Sequence, residues 1–376
     1  MQNNNVILPM KMIGIIGGGQ LGRMMAIAAK YMGYQVAVLD PIPNCPTAQV
    51  ADEQITAAYD DMDGIQKLTD ISDVVTYEFE NVDLDAAAYI ERTGKLHQGA
   101  YALEITQNRG KEKAVMNEAG LPVPANKIVR DSEMCERVLG NMQLPAVVKT
   151  VSGGYDGKGQ LKINTNDDIK TACEFTDQND VCMIEQWIPF DKEISVVFTR
   201  GQSGEITFFP ISENEHKDHI LYKTTVPASI SAAVQQKALD AARILANKMN
   251  IAGTFAIEMF VKGDDIYLNE MAPRPHNSGH YTIEACNLSQ FEQHIRAICG
   301  LPLMPIELLR SAVMVNILGD DMETALNELP KMQHGFLHLY GKETIKPKRK
   351  MGHITFIANT LDEAKQQLTA YEEVKQ

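Results

Sequence analysis

Residues Phe255 to His280 read FAIEMFVKGDDIYLNEMAPRPHNSGH, and this stretch decides the fold. Two apolar runs, FAIEMFV and DIYLNEM, flank the turn KGDD, which is the pattern of two antiparallel strands with a tight connection. Each run carries an acid among apolar neighbours, Glu258 in the first and Glu270 in the second. Strands joined this way can set both carboxylates on one sheet face, where unpaired acids are costly. Either glutamate alone would read as facing solvent; the pair asks for a cation. Oxygen ligands with no nearby His-Cys cluster point to Mg²⁺ shared with nucleotide phosphates, not to zinc. In the following MAPRPHNSGH, prolines restrain the backbone while Arg274, His276, Asn277 and His280 stay available to an anion. His280 reads equally well as an ordinary hydrogen-bonded loop residue.

Upstream, Lys149 ends the apolar strand AVVKT, and the loop Ser152 to Gln160, SGGYDGKGQ, follows it. Such a loop can fold over a polyphosphate and donate N–H groups to it, with the strand-borne lysine neutralising oxygens beneath. It lacks the spacing of a Walker loop. A hairpin tip with a solvated Lys149 is the plainer alternative.

At the start, Met12 to Asp40 read as strand, glycine turn, amphipathic helix and strand, a βαβ unit. Gly17, Gly19 and Gly22 match G-x-G-x-x-G, and Asp40 stands where a ribose-binding acid would sit in a dinucleotide site. The glycines allow close approach of any phosphate to a helix N-terminus, or merely a tight turn. Apolar strands, the next near Val74 to Phe79, alternate with helical stretches up to about Leu103, as in a doubly wound sheet. A helix through KEKAVMNEAG, strands AVVKT, LKI, EISVVFT and GEITFFPI, and a helix from Ala232 to Met249 come next. The tail holds a strand SAVMVNIL, a hairpin FLHLYGKETIKPKRKMGHITF and a final helix from Leu361. Lys342, Lys346, Lys348, Arg349 and Lys350 crowd that hairpin, as a solvated charge run or as a clamp for a phosphate monoester.

The 376-residue chain has a formal charge of -14, which argues against nucleic acid or an anionic membrane as the principal partner. Six cysteines without a C-x-x-C pair fit reduced thiols. No apolar run is long enough to span a membrane, and no secretory leader is evident at the start, so a cytoplasmic protein is expected.

In chain order, the loop after Lys149, the Glu258 and Glu270 pair, the segment MAPRPHNSGH and the basic hairpin together resemble the ATP-grasp superfamily, and within it the 5-(carboxyamino)imidazole ribonucleotide synthase family. The likeness runs from Met12 to Phe356 and is carried by GGGQLGRM at Gly17, YEFENV at Tyr77, GGYDGKGQ at Gly153, NEMAPRPHNSGH at Asn269, and YGKE and KRKMGHI at Tyr340 and Lys348. It implies an α/β and α+β chain: a Rossmann-like domain over residues 1–105 that binds no NAD, an ATP-grasp domain over 106–300 with a lid at about 122–187, and a small C-terminal domain over 301–376. It also implies a homodimer that joins 5-aminoimidazole ribonucleotide to bicarbonate at the cost of ATP, with Mg²⁺ and without biotin.

Residue by residue, the resemblance puts Arg109 and Lys149 on ATP phosphates under the loop Gly154, Tyr155, Asp156, Gly157, Lys158, Gly159 and Gln160. Glu185, Gln186, Trp187 and Ile188 would line the adenine, Glu193 the ribose and His216 another edge of the nucleotide. Glu258 and Glu270 would hold Mg²⁺ beside Asn269; Arg274, His276 and Asn277 would face bicarbonate. Tyr155, Asp156 and Lys158 would reach the ribonucleotide, whose 5′-phosphate Lys342 and Arg349 would hold near Gln20. Two positions depart from the family pattern: Ala272 where Asn is common, and Lys158 where Arg is. Other readings are a formate-using relative or a biotin carboxylase, both disfavoured by KRKMGHI and the chain length. An NAD-dependent oxidoreductase would leave Glu258 and Glu270 unexplained, and a non-catalytic nucleotide sensor is the remaining alternative.

Overall fold

The structure of the protein, a computed structural model, describes residues 6–153 and 159–373. Strands β1 (Met12–Ile16), β2 (Gln35–Leu39), β3 (Glu53–Ile55) and β4 (Val74–Tyr77) are parallel and lie in the order β3-β2-β1-β4. Strands β1, β2 and β4 are near-continuous buried runs because helices cover the sheet, whereas the edge strand β3, Glu-Gln-Ile, is only partly covered. The helix Gln20–Tyr31 starts directly on the glycine turn and buries Leu21, Met24, Met25 and Ala29. Strand β4 stops at Tyr77, which leaves Glu78 and Glu80 at its carboxyl end, the edge where open parallel sheets carry their sites.

A second, antiparallel sheet comprises β5 (Asn126–Val129), β6 (Ala146–Thr150), β7 (Gln160–Ile163) and β8 (Cys182–Gln186), in the order β5-β8-β6-β7. Its small core of Val129, Leu139, Val148, Ile163 and Ile184 is separate from the others. The cysteines Cys135 and Cys182 pack there as small apolar residues.

The third sheet is the largest. It contains β9 (Lys192–Arg200), β10 (Ile206–Phe208), β11 (Ser212–Lys217), β12 (Ile220–Val226), β13 (Gly253–Lys262), β14 (Asp265–Ala272), β15 (Ser311–Leu318), β16 (Phe336–Leu339) and β17 (Lys350–Ala358). Its order is β14-β13-β9-β11-β12-β15-β17-β16, with β10 paired to β9. The helix Ala232–Met249 forms where the sequence predicts it, capped by the Ser231 hydroxyl and ended by Asn250 in the left-handed region. It buries Ala238, Ala241, Ala242 and Leu245 in one core with Val196, Phe255 and Ile257.

The C-terminal strands extend this sheet: β12 pairs with β15, Thr224 opposite Met314, and the helix Leu361–Glu373 seats Ala364 and Leu368 in a core with Val313 and Phe356. From the far end, the connection between β16 and β17 reaches back to the first sheet. Gln49 Nε2 donates to Gly341 O at 2.8 Å and Asn44 Nδ2 to Glu343 Oε1 at 3.3 Å. Gly341 has φ +74°, and a Cβ there would collide with Gln49, so this closure needs glycine on both counts.

Candidate active site

The glycine turn supports no dinucleotide. Both oxygens of Glu78 occupy the N-terminus of the first helix, one accepting from Gly19 N and the other from Gly22 N at 2.7 Å. Asp40 is turned inward, accepting from Gly18 N at 2.7 Å and from the Tyr59 hydroxyl at 2.7 Å, and is only 4% exposed. The anion place is therefore filled from within, and the acid expected on a ribose holds the turn together. Gln20, beside it, lines the main cleft of the protein.

That cleft, about 530 Å³, lies between the three sheets. Glu258 and Glu270 face it from directly paired positions of β13 and β14, and a bulge follows immediately at Met259. Burial, then Glu270 and Glu193, push the Glu258 carboxyl well above its usual range. Uncompensated negative charge of this kind favours a cation, so the residues fit a divalent metal.

One expectation is corrected here. The surroundings are not oxygen-only: Glu193, His216 and Glu258 bring ligand atoms within 4.8 Å of one another, and His276 Nε2 lies 3.3 Å from Glu258 Oε1. The sheet register brings these distant positions together, which short-range spacing did not reveal.

Arg109, at the start of the helix Arg109–Glu118, places Nη1 3.2 Å from Glu270 Oε2. One turn further on, Lys113 meets Glu185 at 2.8 Å, and Lys149 meets the other Glu185 oxygen at 2.6 Å. Burial alone would raise the Glu185 carboxyl, but Lys149 and Lys113 outweigh it and hold it at about 2. Lys113 also donates to Leu268 O at 3.0 Å and Asn269 O at 2.7 Å, which ties this helix to the strand of Glu270. Glu112 accepts from Met271 N at 2.5 Å; burial and Glu270 push it up to about 8. Among the residues assigned to the adenine, Glu185 is thus committed to two lysines, while Gln186, Trp187 and Ile188 line the cleft with Val147 and the stacked pair Phe190 and Phe260. Glu193 pairs with His216 Nδ1 at 3.2 Å.

The loop after β14 contributes Arg274, His276 and Asn277 to the cleft wall. Arg274 Nε donates to Glu80 Oε2 at 2.6 Å; burial would weaken its hold on the proton, yet Glu80 outweighs that and the guanidinium stays charged. His276 Nδ1 meets the Ser278 hydroxyl at 2.8 Å and Ser278 N at 3.3 Å, which leaves Nε2 toward Glu258. Both polar atoms of the Asn277 side chain are buried without a partner among the described residues. Such atoms are costly unless a ligand meets them. His280 does not belong to this set: it is 1% exposed and packs against Phe291, Tyr340 and His353.

Lys342 and Arg349 are not among the lining residues. Lys342 Nζ donates to Lys350 O at 2.6 Å and Arg349 Nη1 to Thr344 O at 2.9 Å, so both brace the connection whose Lys350 does reach the cleft. Gly159 and Gln160 are described, with Gln160 at the cleft and paired to Lys149 across β6 and β7. Gly154, Tyr155, Asp156, Gly157 and Lys158 lie outside the described residues. Sequence reading missed Glu80, Glu112 and Lys113, and named Lys350 only within the basic run of the hairpin. Lys113 was legible in principle, since it follows Arg109 by four positions on one helix face.

Residues 10–107 match the ribonucleotide synthetase preATP-grasp domain, residues 114–291 the ATP-grasp domain, and residues 312–367 the phosphoribosylaminoimidazole carboxylase C-terminal domain. Fold and cleft together define an ATP-grasp ligase. The N5-carboxyaminoimidazole ribonucleotide synthase of Bacillus subtilis is 47% identical over 368 residues, 98% of this chain and 97% of its own. A Staphylococcus aureus protein of the same name is 42% identical over 95% of this chain and 96% of its own. An ADP complex of an N5-carboxyaminoimidazole ribonucleotide synthetase superposes with a TM-score of 0.95 at 48% identity, covering 99% of this chain and all of that one. The Aspergillus clavatus enzyme in complex with ADP and 5-aminoimidazole ribonucleotide gives a TM-score of 0.90 at 32% identity over 97% of this chain and 99% of its own. The chain belongs to the N5-carboxyaminoimidazole ribonucleotide synthase family.

Proposed function

We propose that the chain joins bicarbonate to the amine of 5-aminoimidazole ribonucleotide at the expense of ATP, giving 5-(carboxyamino)imidazole ribonucleotide, ADP and phosphate in purine synthesis, without biotin. The observation that carries this is the convergence, in one cleft, of Glu258 and Glu270, the lysine pair on Glu185, and the Arg274 to Asn277 loop.

In this reading a bicarbonate oxygen attacks the γ-phosphorus, ADP leaves, and the substrate amine captures the carboxyl carbon of the resulting carboxyphosphate as phosphate departs. Lys149 and Arg109 hold ATP phosphates, Glu185 pairs with Lys149 and Lys113 beneath them, and Gln186, Trp187 and Ile188 line the base. Glu193 and His216 meet the ribose edge. Glu258 and Glu270 would hold Mg²⁺ beside Asn269, where it would offset charge on the phosphate oxygens. Arg274, kept charged by Glu80, presents a fixed cation where negative charge grows, with His276 and Asn277 beside it.

Tyr155, Asp156 and Lys158 remain assigned to the ribonucleotide, with the lid sheet closing to keep water from carboxyphosphate. Lys342 and Arg349 take its 5′-phosphate, with Gln20 beside that phosphate, once they exchange the backbone carbonyls they now hold. The same proposal keeps the division at residues 105 and 300, a cytoplasmic location and a homodimer. Free cysteines fit the location, and no described helix is long and apolar enough to cross a membrane. Exposed Ile27 and Tyr31, one helical turn apart, fit a contact between copies.

The test is phosphate release from ATP and Mg²⁺ with bicarbonate, with and without 5-aminoimidazole ribonucleotide. Strong stimulation with carbamate formed is expected; ATP binding without stimulation would redirect the reading to another acceptor amine.

A further inference from the structure

The loop that carries Arg274, His276 and Asn277 contains two prolines and little regular structure, so its backbone has to be fixed from outside. Two fully buried amides do this. Gln290, at the start of the helix Gln290–Ile298, accepts from His276 N at 2.9 Å through Oε1 and donates to His276 O at 2.7 Å through Nε2. The side chain thus pairs with one residue as a neighbouring strand would. Gly279 makes the approach possible, because a Cβ there would run into the Gln290 amide. At the other end of the loop, Gln98 Nε2 donates to Pro273 O at 3.0 Å.

His276 itself sets the direction of the Gln290 bonds, its N–H meeting the oxygen and its carbonyl the NH₂, and a chain of partners sets that of Gln98. Thr254 N donates to His294 Nδ1 at 3.0 Å, which leaves the proton of the neutral ring on Nε2. Burial keeps that ring neutral by lowering it to about 3. His294 Nε2 lies 2.9 Å from the Thr76 hydroxyl, whose own proton then goes to Gln98 Oε1. The Gln98 NH₂ is left facing Pro273. The Thr254 hydroxyl donates to the backbone carbonyl of Gln290 at 3.2 Å, so the strand β13 that carries Glu258 is tied to the main chain of Gln290 as well as to the relay behind Gln98. All members are buried: Thr76, Gln98, Thr254, Gln290 and His294 show no solvent exposure.

We propose that Gln290 and Gln98 are positioning residues for the bicarbonate-facing loop: they fix its backbone at His276 and Pro273, with the Thr76, His294 and Thr254 relay setting which way the Gln98 amide points. The inference rests on the reading of that loop as the bicarbonate site. Neither amide touches a substrate; each acts through the placement of Arg274, His276 and Asn277.

Gln290→Met and Gln98→Met keep side-chain volume and remove the tethers. The measurements on the full chain are initial-rate phosphate release against bicarbonate with 5-aminoimidazole ribonucleotide present, and ADP affinity by calorimetry. Each variant is expected to raise the bicarbonate KM about tenfold, as misplacement of orienting groups does, with the ADP Kd within about twofold of the unaltered chain. An unchanged bicarbonate KM in both variants overturns the proposal. So does an ADP Kd that weakens as much as the KM, or failure of both variants to fold, since the amides then serve the fold as a whole. Phosphate release by the unaltered chain that ignores bicarbonate would instead remove the underlying reading, and the inference with it, an outcome visible without either variant.

Discussion

Arg109 Nη1 sits 3.2 Å from Glu270 Oε2, whereas Glu258, directly across the strand pair from Glu270, forms no ion pair with an arginine among the described residues and is crowded by Glu193. The two glutamates are therefore unequal before any metal arrives. Glu258→Gln is expected to raise the Mg²⁺ concentration for half-maximal rate by about tenfold or more, by analogy with losses at metal sites. The same change should stabilise the metal-free protein at pH 8. The sign follows from linkage: the folded carboxyl titrates above its unfolded value, so the unfolded chain loses its proton first and stability falls as pH rises beyond about 4.5. Gln has no such loss. Urea midpoints without metal check the second half, and an unmoved or lowered midpoint at pH 8 counts against it.

Glu185 has the opposite sign. Its folded value near 2 lies below the unfolded 4.5, so its contribution is fully present above about pH 5 and lost as pH falls toward 2. Glu185→Gln leaves two buried lysines without their acid, a change of about 3–5 kcal/mol at pH 7 for a broken buried pair. The gap between the two proteins should narrow between pH 5 and 2 in denaturant titrations. A gap that stays constant over that range would falsify the pairing as its source.

Arg274 and Glu80 form a bond at 2.6 Å that orients the guanidinium toward the cleft. Arg274→Lys keeps charge but loses the planar fork, and kcat is expected to fall about 10²-fold with ADP affinity retained. Glu80→Gln should produce a smaller drop in the same parameter. Steady-state rates paired with ADP calorimetry decide this; an effect confined to ADP affinity would move Arg274 to the nucleotide.

Glu78 predicts both a stability effect and a binding result. Glu78→Leu strands the Gly19 and Gly22 N–H groups inside the protein, at a cost of about 1–3 kcal/mol for each unsatisfied group. NAD added to the unaltered chain is expected to give no difference spectrum, since the helix N-terminus is already occupied. Saturable NAD binding would mean that Glu78 yields its place.

The elements were legible because periodicity and breakers agree locally: the helix Ala232–Met249, the turn between β13 and β14, and the pairing of Glu258 with Glu270 all follow from short spacing. What the sequence did not show is long-range. Nothing near Glu78 announces that its carboxylate fills the place of a phosphate at Gly19. Likewise, Gln98 and Gln290 look like ordinary polar residues until the fold brings Pro273 and His276 against them. Glu80 stood inside a quoted motif, yet only its distance to Arg274 gives it work to do.

The continuity of the large sheet bears on how the chain is made. Strand β12 finds its outer neighbour only in β15, after the long helix and both glutamate strands have been synthesised. On the ribosome the open edge of β12 waits, with a row of unanswered N–H and C=O groups, until the last part of the message is read. A chain stopped near residue 300 is therefore a sheet with a raw border, prone to recruit another copy, and a late stop codon would be felt as aggregation before it was felt as lost catalysis.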